Sequence, residues 1–64
     1  SNMKLGYAQL TDDHGKHFFL NTGMVMCVGT AVGQTSAYVI LRGGKYQHLR
    51  ESPEEVIKIL GWSD

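Results

Sequence analysis

Eight glycines divide this chain of 64 residues into short stretches rich in β-branched and aromatic residues. Short apolar segments bounded by Gly, Asn, Asp and Ser are the mark of antiparallel strands joined by tight turns. The spacing predicts five strands, over residues 4–11, 16–20, 24–31, 36–42 and 45–49. The polar cluster Asp12-Asp13-His14-Gly15 suits a turn that ends in a residue at positive φ. Asn21-Thr22-Gly23 and Gly33-Gln34-Thr35 mark two further reversals. Gly43-Gly44 reads as a two-residue hairpin turn. That turn would set Arg42 opposite Lys45, Leu41 opposite Tyr46, Val39 opposite His48 and Tyr38 opposite Leu49.

The last segment carries a different signal. Ser52 can cap a helix, Pro53 suits its first position, and Glu55 stands three residues after Ser52 to complete a capping box. Glu54 and Glu55 place negative charge at the positive end of the helix dipole. Val56, Ile57, Ile59 and Leu60 form the apolar stripe, Lys58 faces out, and Gly61 ends the helix. So short a helix is unstable alone, because nucleation is costly, and it must dock on the sheet. The expected fold is α+β and mostly β: an antiparallel β-meander of about five short strands closed by one C-terminal helix. Ser1-Asn2, ahead of Met3, reads as an expression remnant, with residues 3–64 as a single domain.

A chain of this length buries only about 60% of its extended surface. Small domains offset that weakness with disulfides, a metal or a partner chain. A lone cysteine, Cys27, excludes an internal disulfide, and no signal-peptide pattern follows Met3, so a reducing, cytoplasmic setting is expected. No apolar run approaches the roughly 18 residues of a membrane helix. Six Lys/Arg balance six Asp/Glu, giving a formal net charge of zero. Nucleic-acid binders usually carry a basic excess, and zero net charge also leaves little repulsion between copies.

Two segments are apolar without interruption: Met24-Val25-Met26-Cys27-Val28 and Ala37-Tyr38-Val39-Ile40-Leu41. A sheet with one wet face alternates apolar and polar residues, and these do not. One short helix covers only part of one face. Either the meander curls into a barrel or a second copy covers it. The expectation is a homo-oligomer, most simply a dimer, with Met24, Met26, Val39 and Leu41 at the interface.

Chemistry-bearing residues are sparse. Asp12, Asp13, His14 and His17 are the one grouping of metal-ligand types, and imidazole with carboxylate suits zinc. The competing reading is a solvated turn in which Asp12 or Asp13 caps backbone amides. No third ligand stands at motif spacing, so no metal or cofactor is expected. Cys27, flanked by Met26 and Val28, reads as a small apolar residue rather than a nucleophile. With no paired acid and base at a recognisable spacing, no enzyme is expected. Arg42, Lys45 and Arg50 offer a basic edge near Tyr46 and His48, which is the feature that would bind nucleic acid. The opposing reading is that such charges deter edge-to-edge aggregation. Trp62, past the helix stop, either seals the core or anchors a partner.

Gly15-Lys16-His17-Phe18-Phe19-Leu20-Asn21, then Gly44-Lys45-Tyr46, then Glu51-Ser52-Pro53-Glu54-Glu55-Val56-Ile57 resemble, in that order, the small flagellar-operon proteins of the FlbD type. That resemblance implies a non-catalytic, motility-related protein. Tyr38-Val39-Ile40-Leu41, Gly44-Lys45-Tyr46, Arg50-Glu51-Ser52 and residues 56–60 are also similar to part of a LytTR-type DNA-binding domain, which implies DNA binding. The leading expectation is a non-enzymatic, self-associating protein-interaction module in a regulatory or motility-related setting. A nucleic-acid-binding regulator is the alternative.

Overall fold

The structure, a computed structural model, describes residues 3–4 and 6–62. The expected remnant Ser1-Asn2 and Leu5 of the expected first strand lie outside the described residues. Six short strands and one helix follow in order: β1 (Met3–Lys4), β2 (Tyr7–Thr11), β3 (His17–Asn21), β4 (Val25–Gly29), β5 (Tyr38–Leu41), β6 (Tyr46–His48) and α1 (Pro53–Leu60). They build two antiparallel sheets of three strands each, β1-β2-β3 and β4-β5-β6. The fold is mostly β with one C-terminal helix, as the glycine spacing and the capping signal indicate.

The expected first strand is in fact a hairpin. Backbone reverses at Gly6, whose φ of 77° is costly for other residues. Lys4 therefore pairs with Tyr7, and Met3 with Ala8. The β2–β3 and β5–β6 hairpins share one loop geometry. In the first, the Asp12 N–H donates to the Lys16 carbonyl at 2.8 Å and the Gly15 N–H to the Asp12 carbonyl at 3.0 Å. In the second, the Leu41 N–H donates to the Lys45 carbonyl at 2.8 Å and the Gly44 N–H to the Leu41 carbonyl at 2.9 Å. Both are three-residue loops that close on a glycine at positive φ, the glycine-bulge design.

The expected two-residue turn at Gly43-Gly44 is thereby corrected. Tyr38 pairs with His48, Val39 with Gln47 and Ile40 with Tyr46, one residue away from the expected register. Because side chains alternate at every residue, that slip moves each β6 side chain to the other face.

Ala8 and Leu10 from the first sheet meet Val25 and Val39 from the second, with Ala37, Leu49, Val56 and Leu60, in one buried cluster. A seam joins the sheets: Asp12 bridges Leu49, and the Arg50 N–H donates to the Thr11 carbonyl at 2.8 Å. The helix docks as its stripe requires, with Val56 and Leu60 buried and Ile59 packed beside them. Ser52 accepts from the Glu55 N–H at 3.2 Å, and the Glu55 carboxylate accepts from the Ser52 N–H at 3.1 Å. At the far end Gly61 is left-handed, and its N–H and that of Trp62 reach back to the Lys58 and Ile57 carbonyls. Trp62 is 49% exposed and stands outside the core cluster. Among the described residues, no helix is long and apolar enough to cross a membrane.

Candidate functional site

Register decides which side chains leave the core. Cross-strand partners share a face. In the second sheet Val28 pairs with Val39, and Val25 with Leu41, on the core side. Cys27, Ile40 and Tyr46 then form a row across the outer face, and Gly29, Tyr38 and His48 form the next. Between Val25 and Cys27 the register shifts at a bulge, which leaves Met26 without a partner on β5 and 61% exposed. The outer face is thus apolar and aromatic, with no formally charged side chain in either row. Tyr46 is 56% exposed and Cys27 is an exposed free thiol.

Its aromatic groups hold one another in place. Tyr38 and Tyr46 ring centroids lie 5.2 Å apart at a tilt of 38°, and the His48 ring meets Tyr38 edge-on at 6.4 Å. Such pairs are worth about 0.5–1.5 kcal/mol beyond the area they bury. Tyr38 lies across β4 because position 29 has no side chain. A Cβ on Gly29 would stand 2.6 Å from the Tyr38 hydroxyl oxygen.

At the end of this face, beyond the Tyr38 row, residues 30–37 form a braced loop. The Gln34 N–H donates to the Ala31 carbonyl at 2.9 Å, with Gly33 at positive φ, closing a tight turn. The Thr30 hydroxyl lies 3.1 Å from the Gln34 carbonyl and 2.8 Å from that of Ser36, either of which can accept from it. Val32 sits at the tip of the turn with its side chain fully exposed. Between this loop and β6 lies a pocket of about 240 Å³ lined by Ala31, Gln34, Ser36, Ala37, Tyr38 and His48.

The expected interface residues divide between the two faces. Met24 and Met26 are exposed. Val39 is fully buried, and Leu41 is half-buried against the core cluster. The reason is parity: Val39 and Leu41 face inward, and the bulge at Met26 breaks the alternation that grouped all four. Tyr38, Ile40 and Tyr46 lie on the outer face instead. The unbroken apolar run 37–41 held the clue to the first two.

Arg42, Lys45 and Arg50 are all exposed, and the two arginines are engaged at different places. The Arg42 Nε donates to the Gly23 carbonyl at 3.1 Å, tying the β5–β6 loop to the short 3-10 turn Thr22–Met24. The Arg50 guanidinium packs over Gly15 of the β2–β3 loop, where an added Cβ would stand 3.2 Å from Nη1. Lys45 and Arg50 flank β6 at its two ends, roughly 16 Å apart at the rise of an extended strand.

The grouping of Asp and His is a hairpin loop with its carboxylate in use. Asp12 Oδ1 accepts from the His14 N–H at 2.9 Å and from the Lys16 N–H at 2.8 Å. The bond from Lys16 is the main reason the Asp12 carboxyl titrates below its ordinary value, with the His14 bond and the nearby positive charges adding to it and partial desolvation opposing. His17 instead pairs its Nδ1 with the Thr11 hydroxyl at 3.1 Å. His14 and Asp13 approach to 3.7 Å, both in solvent, where an ion pair contributes little. Among the described residues, no three His, Cys, Asp or Glu side chains stand together as a metal would need.

Compared with known protein families, curated proteins and solved structures, the chain has no significant match.

Proposed function

We propose that the protein is a non-enzymatic interaction module that self-associates through the outer face of its second sheet. One observation carries this reading. The rows Cys27-Ile40-Tyr46 and Gly29-Tyr38-His48 form a continuous apolar and aromatic face with no formally charged side chain. Apolar surface gathered in this way is the usual mark of a binding site. Tyrosine and methionine, here Tyr46 and Met26, are enriched where proteins meet. Zero net charge removes a barrier to pairing like with like. A chain this small also gains stability from a second copy. The exposed free thiol of Cys27 fits a reducing, cytoplasmic setting. The resemblance to FlbD-type proteins makes a motility-related setting part of this proposal.

Light scattering over a concentration series tests it. A dimer is expected at tens of micromolar, a working range of the order at which modest assemblies persist. Tyr46→Lys should shift the equilibrium toward monomer, and Tyr7→Lys, on the first sheet, should not. A monomer throughout would sink the reading.

The aromatic cluster of Tyr38, Tyr46 and His48 favours one alternative. Aromatic side chains on a sheet face can stack unpaired bases, and Lys45 adjoins Tyr46 in sequence. Nucleic-acid binding would then rest on this aromatic face together with Lys45, rather than on Arg42, Lys45 and Arg50 as a cluster. A gel shift with a single-stranded oligonucleotide, weakening steeply as salt is raised, would favour it over the protein partner.

A further inference from the structure

We infer that His48 makes self-association pH-sensitive, protonation of its imidazole driving the two copies apart. This rests on the self-association reading above and names how that contact is regulated.

Histidine is the side chain that ordinarily gains its proton between about pH 8 and about pH 5. The rows of the second sheet's outer face hold one, His48. Register sets it across from Tyr38, in the row that Gly29 completes. Its ring is exposed and meets the Tyr38 ring edge-on at 6.4 Å. The other two histidines stand elsewhere. His17 belongs to the first sheet, with Nδ1 at 3.1 Å from the Thr11 hydroxyl, and His14 to the β2–β3 loop.

Nothing beside the His48 ring would offset a positive charge. From β5 it meets Tyr38, and from β4 the row brings Gly29, with Cys27 one row over. The loop over residues 30–37 contributes Gln34 and Ser36, which share a pocket with His48. None of these carries a formal charge. On its own segment Tyr46 is uncharged, while Lys45 and Arg50 would repel a proton rather than hold it. Asp13 follows the Asp12 that bridges Leu49, yet its carboxylate approaches His14 at 3.7 Å. Among the described residues, the His48 ring makes no ion pair and no hydrogen bond; only its backbone carbonyl accepts, from Gln47 Nε2.

In a free copy, water solvates the imidazolium. A two-fold contact through this face withdraws His48 of both copies from water at once. Burying an unpaired charge is costly, and like charges set against each other across an interface repel. A free copy therefore takes up a proton that the pair excludes, so association weakens as pH falls.

Sedimentation equilibrium of the full chain at about pH 7.5 and about pH 5.5, either side of the ordinary histidine range, tests the inference. The dissociation constant should rise at least about tenfold at the lower value, since each excluded proton contributes up to about tenfold per pH unit. His48→Gln, polar and uncharged, should pair alike at both values, and His17→Gln should keep the wild-type dependence. Circular dichroism should be the same at both, because a fold lost in acid would explain dissociation without His48 and overturn the inference. In the wild type, NMR should find the His48 ring protonating at lower pH in a concentrated sample than in a dilute one. If His48→Gln does not pair at all, that ring titration decides. If the wild type pairs equally at both values, if His48→Gln keeps the pH dependence, or if the ring titration ignores concentration, the inference fails and the self-association reading stands. If the wild type is monomeric at both, both fail.

Discussion

In the first sheet, Ala8, Leu10, Phe18 and Leu20 turn to the core, while Gln9, Thr11, His17 and Asn21 face out among Tyr7 and Phe19. In the second, Val25, Val28, Val39 and Leu41 turn inward while Cys27, Ile40, Tyr38 and Tyr46 face out. The inner faces are equivalent and the outer ones are not. An outer face that interleaves polar groups meets the needs of a solvated sheet. Apolar residues on a second outer face add nothing to the chain's own core, which makes that face the place to look for function. The two three-residue hairpin loops differ in the same way. The first is held by a carboxylate that caps two amides, and the second by a pair of glycines at positive φ.

The equivalence of the inner faces predicts the largest effect. Leu10→Ala in the first sheet and Leu49→Ala beside the second should each cost about 2–5 kcal/mol. That rivals the whole stability of a domain this small, roughly 3–5 kcal/mol. Chemical denaturation should find both variants largely unfolded, and one that stayed folded would show that the sheets do not share a single core. A smaller effect belongs to the second sheet alone. Gly29→Ala would press a methyl group against the Tyr38 ring, costing about 1–3 kcal/mol for overpacking. The displaced ring should also shift the Tyr46 resonances, and an unmoved Tyr46 spectrum would mean the aromatic pair does not depend on Gly29.

Smallest, and confined to the first sheet, is a pH effect. Asp12 is held below its ordinary value in the folded state, chiefly by the Lys16 amide. A carboxylate depressed on folding contributes stability above its unfolded value, near about 3.9, and loses it as pH falls through the lower folded value. The stability gap between the protein and Asp12→Asn should therefore be present at neutral pH and close below about pH 4. The loop of the second sheet is held by glycines instead of a carboxylate. A gap that stayed constant from neutral pH to about pH 3 would show that the Asp12 charge does not matter to the turn.

The helix was legible in the sequence residue by residue, because capping, the proline at its first position and the glycine stop act within one turn of chain. Strand number and turn positions were legible nearly as well. Register was not. Gly43-Gly44 is compatible with a loop of two or of three residues, and nothing local distinguishes them, so the two-residue reading puts the β6 side chains on the wrong face. The bulge at Met26 left no mark in an unbroken apolar run. Those two features lie behind the difference between the expected interface residues Val39 and Leu41 and their place on the core side. The apolar residues around Gly6 read as one strand, which hides the reversal there.

The seam between Thr11 and Arg50–Glu51 has a kinetic consequence. The Glu51 carboxylate accepts from the Thr11 N–H at 3.0 Å across a sequence separation of 40. Each hairpin closes over only a few residues, whereas the seam must draw together the ends of a loop roughly eight times longer. By the logarithmic law of loop closure that costs about 2 kcal/mol more. The hairpins can form early and independently, and the seam closes once both are in place. It is therefore where thermal motion should first part the two sheets, an opening that hydrogen exchange at the Arg50 amide would time.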